Sequence, residues 1–204
     1  FHHITEAINQ GMPVVMFDRV ANDILCDKVI IDDNLAAFEA VQYLINKGFK
    51  KIALISTIDY ISVGKLRTEG YLKALRNNNI PIDENLILKV EDMDHCADKI
   101  EELMKNNTFD AIFAVNELFA VTSIKLASKL NLKVPEDLSI IGFTDGMISK
   151  YSSPSITTVS QNEFKMGEKA AKMLIDRLEN EDEEEEHYKT EVIETNLVER
   201  ESTT

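Results

Sequence analysis

Short unbroken apolar runs recur along the chain, and the stretches between them carry apolar residues at a helical period. Pro13-Val14-Val15-Met16-Phe17 is one run, ending at Asp18, and Val29-Ile30-Ile31 is a second, ending at Asp32-Asp33. Such runs predict strands buried on both faces. Lys51 to Ser56, Leu86 to Val90, Ala111 to Val115 and Leu138 to Gly142 read the same way, and Val192-Ile193 and Asn196-Leu197-Val198 give two short strands near the end. A helix is predicted from Asn34 to Lys47, with Leu35, Phe38, Val41, Leu44 and Ile45 on its buried face, Asn34 as its cap and Gly48 as its stop. Further helices are predicted from about Val63 to Asn78, from Leu118 to Leu130, on the face Ala97, Ile100, Leu103 and Met104, and on the face Gly167, Ala170, Ala171, Leu174 and Leu178. Phe1-His2-His3-Ile4-Thr5-Glu6 reads as the middle of a helix with chain missing upstream.

Strands alternating with helices imply right-handed βαβ units and a parallel sheet, hence an α/β fold. Open sheets of this kind bind ligands beyond the carboxyl ends of their strands. That singles out the residues that close the runs, Asp18, Asp32, Ser56, Asn116 and Thr144, several of them polar as a pocket for a polar small molecule requires. Phe17, Phe38, Phe113 and Phe143 lie on strands or apolar helix faces, where core packing is the expected role.

Missing motifs narrow the chemistry. There is no G-x-G-x-x-G or G-x-x-x-x-G-K-[ST] for a nucleotide, and no G-x-S-x-G or H-E-x-x-H for hydrolysis. The histidines are His2, His3, His95 and His187, two of them adjacent and none at ligand spacing, so neither a metal nor a cofactor is expected. No nucleophile–base pair can be assembled, which argues against an enzyme. The net charge is −14, with 36 acids against 22 bases, so this piece is not expected to grip a phosphate backbone by itself. Seven acids between Glu179 and Glu186 read as a solvated loop, without the spaced ligands and turn glycine of a calcium loop. Cys26 and Cys96 are far apart and imply a reducing compartment. No apolar run reaches the roughly 18 residues of a membrane span, and the N-terminus has no export-signal pattern.

Several segments in order carry a resemblance: Met12-Pro13-Val14-Val15-Met16-Phe17-Asp18-Arg19, Val29-Ile30-Ile31-Asp32-Asp33, Ala40 to Ile45 with Gly48, and Arg67-Thr68-Glu69-Gly70-Tyr71. They continue with Ala114-Val115-Asn116-Glu117, Val134 to Phe143, Thr157-Thr158-Val159-Ser160-Gln161 and the closing Leu197 to Thr203. Together they resemble the effector-binding core of the lactose-repressor (LacI/GalR) family of transcription regulators, essentially end to end. The resemblance implies a periplasmic-binding-protein-like fold: two α/β lobes joined by three crossovers, with a sugar or similar effector in the cleft. It puts the crossovers near Asp32, Gln161 and Thr195. Residues 1–31 with 162–194 then form a partial N-terminal lobe, and 32–161 with 195–204 the C-terminal lobe. It also implies that the helix-turn-helix headpiece, the hinge and the first lobe's opening βα units are absent here, exposing a strand edge and apolar surface, as in a trimmed product or a chain that packs with another copy.

The resemblance assigns site residues one by one. Asp18 would accept hydrogen bonds from effector hydroxyls, unless it serves as a helix cap or turn acid. Arg67 would offer its fork of donors to vicinal hydroxyls or a carboxylate, rather than making a surface ion pair. Asn116 would both donate and accept, with a helix N-cap as the competing role. Where the family usually has Asn-Asp, this chain has Asn116-Glu117, a longer acid that reshapes the pocket wall. Where the family places an effector-binding aspartate after Gly-Phe, this chain has Thr144 followed by Asp145. Gln161 would contact effector or satisfy hinge backbone. Ser62 is a further candidate, Met93 falls near the family's pocket aromatic, and any stacking on sugar must come from Tyr60, Phe119 or another Phe or Tyr, since Trp is absent. The implied mechanism is cleft closure in a cytoplasmic homodimer, read out as operator affinity through the missing headpiece. A sugar-binding protein of a transport system shares the fold and is the alternative; Val134-Pro135-Glu136-Asp137 and the Arg-x-Ser ending favour the regulator.

Overall fold

The computed structural model describes residues 2–21, 23–58, 62–92, 94–179 and 188–203. In chain order, α1 (His2–Asn9), β1 (Val15–Phe17) and β2 (Asp27–Ile31) lead into α2 (Asp33–Asn46), β3 (Ile52–Thr57) and α3 (Ser62–Asn77). A 3-10 turn (Glu84–Leu86), β4 (Ile87–Val90), α4 (Cys96–Asn106), β5 (Ala111–Ala114), α5 (Glu117–Lys129) and β6 (Ser139–Phe143) follow. The chain then forms α6 (Met147–Tyr151), β7 (Thr157–Ser160), α7 (Glu163–Glu179), β8 (Thr190–Ile193) and β9 (Asn196–Val198). It divides into two compact units: Phe1–Asp32 with Gln161–Thr195, and Asp33–Ser160 with Asn196–Thr204.

The first unit is built on a parallel three-stranded sheet in the order β1-β2-β8, with Val15 opposite Asp27 and Lys28 opposite Thr190. Its core is Met16, Ala21, Ile24 and Cys26, against which Ile4 and Ile8 of α1 pack together with Val14 and Val20. Helix α7 lies on β1 and β2. There the buried Asp27 carboxylate receives Nε and Nη2 of Arg177 and the Lys189 N–H, so a charge at the start of a central strand is fully partnered. Two expectations change here. Phe17 is 55% exposed, because it closes a short strand at the sheet edge instead of sitting over the core. The buried stripe of α7 is Met166, Ala170 and Met173, not Gly167, Ala171 and Leu178; the flexible methionines take the core positions and the glycine faces outward.

The second unit has six strands in the order β4-β3-β5-β6-β7-β9, parallel except for β9, which runs antiparallel to β7. Strands β5, β6 and β7 are buried at every position, as their continuous apolar or small-residue runs require. Helix α2 buries Asp33, Ala36, Ala37, Ala40, Val41 and Leu44, so its inner face leans toward the alanines and leaves Leu35 exposed, against expectation. The alanines are selected by proximity, since α2 packs on α3 close enough that a Cβ on Gly70 would lie 2.3 Å from the Asn34 carbonyl oxygen and 2.8 Å from the Ala37 Cβ. In α4 the buried first residue is Cys96 instead of Ala97.

The segment after β9 is fastened to the sheet by the side chains of Arg200, Ser202 and Thr203. Ser202, fully buried, donates its hydroxyl to the Ile140 carbonyl and accepts the Thr157 N–H. Its backbone bonds Ile140 and Ser155 as well.

Candidate functional site

The parallel strands of the second unit end at one edge, and Arg67 is the residue that ties their tips together. It is buried on α3, one of the few charged side chains so placed. Its Nε donates to Asp33 Oδ1 at 2.6 Å and its Nη1 to the Val115 carbonyl at 2.7 Å, while the guanidinium lies 3.5 Å over the centre of the Phe143 ring. Asp33 opens α2, Val115 follows β5 and Phe143 closes β6, so the fork is fixed by three elements at once. Such a guanidinium is held in one orientation by its partners. Sequence reasoning singled out Arg67 but missed Asp33 as its partner and gave Phe143 only a packing role. An acid at the first turn of a helix otherwise read as apolar is a signal that a buried cation exists, although not of which one.

Asn116 follows Val115 and caps α5, its Oδ1 accepting the Phe119 N–H at 2.8 Å. The cap role is therefore present, and the amide nitrogen donates to no described residue. Thr144 follows Phe143 in a left-handed backbone conformation, φ +84°, with its N–H on the Val159 carbonyl at 2.9 Å. A β-branched residue is unfavourable there, and such conformations persist only where the surroundings over-determine them. Asp145 supplies part of that determination, since its carboxylate meets Arg200 Nη2 at 2.5 Å, Thr158 Oγ1 at 3.1 Å and Lys150 Nζ at 3.5 Å. Ser62 is the exposed first residue of α3. Ser56 corrects an expectation: β3 extends to Thr57, so Ser56 is fully buried within the strand and bonds to Thr68 Oγ1 and the Gly64 carbonyl. Thr57 takes the tip instead, with a buried hydroxyl that has no hydrogen-bond partner among the described residues.

Burial pushes the Asp145 carboxyl upward, but its hydrogen bonds from Arg200 and Thr158 and the nearby positive charges outweigh burial and hold it below the usual carboxylate range. A carboxyl depressed in the folded state stabilises at neutral pH, and that contribution is lost as pH falls through the folded value. Arg200→Met is therefore expected to flatten the acid side of the stability profile. Urea unfolding at about pH 7 and about pH 3 should show a smaller loss of stability on acidification in the variant than in the parent.

In the first unit the tip residues are Asp18 and Gln161. Asp18 closes β1 with φ +61° and its N–H on the Val29 carbonyl. Its carboxylate accepts the Gln161 amide at 3.2 Å, which pairs two residues that sequence reasoning selected independently. Asp32, at the end of β2, is exposed. No group of three or more His, Cys, Asp or Glu among the described residues could hold a metal ion. Both cysteines are buried free thiols. No helix among the described residues is long and apolar enough to cross a membrane. Tyr60, Met93, His187 and residues 180–186 of the acidic run lie outside the described residues.

Residues 41–203 match the family model of the periplasmic binding protein-like domain. The HTH-type transcriptional regulator MalR of Clostridium butyricum is 40% identical over 175 residues, which is 84% of this chain and 51% of that protein. The HTH-type transcriptional repressor CytR of Escherichia coli (strain K12) is 31% identical over 169 residues, 82% of this chain and 50% of the repressor. The chain belongs to the periplasmic binding protein-like family, in its lactose-repressor branch. Solved structures of that branch superpose closely. The transcriptional regulator CelR in complex with cellobiose matches with a TM-score of 0.85 and 28% identity, over 94% of this chain and 59% of CelR. The chain spans about half the length of the curated relatives it matches. The mostly parallel sheets flanked by helices match that family's fold.

Proposed function

We propose that this chain is the effector-sensing part of a DNA-binding transcription regulator and that its ligand is a small carbohydrate. The observation that carries the reading is the immobilised Arg67 fork at the strand tips of the second unit, with Asn116 and Thr144 following the two residues it touches. A fixed planar donor beside an amide and a hydroxyl suits vicinal sugar hydroxyls. The CelR–cellobiose complex supports the ligand class. In this reading the candidate effector contacts are Arg67, Asn116, Thr144 and Ser62 in the second unit, and Asp18 and Gln161 in the first. Asp145 then acts on it through Thr144. A ligand that binds one conformation of the protein better than another shifts the population toward it, and that shift is the signal. The operator is met by a separate DNA-binding element in a homodimer, since an acidic chain of net charge −14 is a poor partner for phosphate. The setting is the cytoplasm.

A thermal-shift screen against cellobiose, maltose, ribose and their phosphates tests the ligand class. A sugar at about 100 times its Kd is expected to add about 2.7 kcal/mol of stability. The carbohydrate reading fails if all leave the melting temperature unmoved while a purine or an amino acid raises it.

A further inference from the structure

The turn that carries Thr144 is held by a side chain from another helix. Helix α6 begins at Met147 with Gly146 at its N-cap, and a glycine has no side chain to accept the orphan N–H groups of the first turn. Glu117, the first residue of α5, supplies the missing acceptor. Its Oε1 takes the Ser149 N–H at 2.6 Å. The carboxylate occupies the space that a side chain at position 146 would fill: a Cβ built on Gly146 would lie 2.6 Å from Oε2, 2.8 Å from Oε1 and 3.0 Å from Cδ. Ser149 in turn donates its hydroxyl to the Thr144 carbonyl at 3.3 Å and is itself fully buried. A continuous chain of contacts thus runs from Glu117 through Ser149 to Thr144, whose φ of +84° requires an external hold.

We propose that Glu117 is a positioning residue for the candidate site: it caps α6 in place of Gly146 and so fixes the direction in which Thr144 presents its hydroxyl. The ligand-directed half of this inference rests on the reading of Thr144 as an effector-facing residue. Length is the decisive property. The glutamate reaches across to the next turn, and position 146 is glycine to leave its carboxylate room. The pair is complementary, a long acid opposite an absent side chain. It also accounts for Thr144 serving at the strand tip without a charge of its own, because the local acids, Glu117 and Asp145, are spent on holding the turn.

The test uses the full chain and amide hydrogen exchange followed by NMR. Glu117→Ala should speed exchange at the Ser149 N–H by about tenfold or more, and at the Thr144 N–H by a smaller factor, because a charge-assisted bond is lost. Glu117→Gln, which keeps a carbonyl acceptor, should restore most of the protection. Gly146→Ala displaces the end of a flexible side chain and not backbone, so the fold survives and the same two amides should exchange faster. Because both changes break one contact, the double variant should be no worse than either single one. Additive effects, or a Thr144 amide unchanged in all variants, overturn the proposal. A calorimetric cycle with cellobiose, or with whichever sugar shifts the melting temperature, separates the two levels: the affinity lost on Thr144→Val should shrink in the Glu117→Ala background. Unchanged amides with intact sugar binding refute the positioning role alone, whereas altered amides with no sugar bound at all refute the carbohydrate reading alone.

Discussion

Arg67→Ala is expected to lower the unfolding free energy by about 3–5 kcal/mol, the cost of leaving a buried carboxylate without its cation. Asp33 is as buried as Arg67 and sits 2.6 Å from it, so the alanine variant strands a negative charge at the start of α2. It also releases the Val115 carbonyl and leaves a cavity over the Phe143 ring. Urea unfolding measures this loss directly. Because the same substitution should abolish the sugar-induced thermal shift, ligand effects must be read against the variant's own melting temperature. Removing both charges together, by Arg67→Met with Asp33→Asn, is expected to recover much of the stability and none of the sugar response. A single Arg67→Ala variant as stable as the parent would mean that the pair is solvated and the fork is not rigid.

Gly70→Ala is the second large effect. The added methyl would sit 2.3 Å from a backbone oxygen and 2.9 Å from the Phe38 nitrogen, neither of which a side-chain rotation can relieve. Helices α2 and α3 must separate, and overpacking of that kind costs about 3 kcal/mol. The change should appear as a lowered urea midpoint at an unaltered slope. Gly167→Ala serves as the contrast, since a Cβ there meets nothing within 4 Å and helix propensity alone should raise stability by roughly 0.5–1 kcal/mol.

The alternation of strands and helices, and with it the α/β class, was legible because buried parallel strands leave unbroken apolar runs. Finer placement was not. Leu35 and Ala97 fit a helical stripe on hydrophobicity alone, yet the close approach at Gly70 turns α2 toward its alanines, and the buried thiol of Cys96 starts the inner face of α4. Periodicity ranks residues by apolar character, whereas packing ranks them by fit. The strand-tip rule found Asn116 and Thr144, but a one-residue slip in β3 exchanged Ser56 for Thr57, since period-2 geometry sends neighbouring side chains to opposite faces. The contacts that organise the tips, Asp33 with Arg67 and Glu117 with Ser149, join residues 34 and 32 positions apart. No local pattern encodes such pairs.

Each unit is assembled from distant stretches, and this bears on the order in which the ribosome delivers them. The first unit waits for β8 before β2 has a second neighbour, and the second waits for β9 and Ser202 before β7 is paired on its outer side. Neither sheet can be completed until the segment from Thr190 to Val198 has emerged. The nascent chain therefore carries the open outer edge of β7 through the synthesis of α7 and β8, an interval in which chaperone binding, or association with a neighbouring nascent chain, competes with folding.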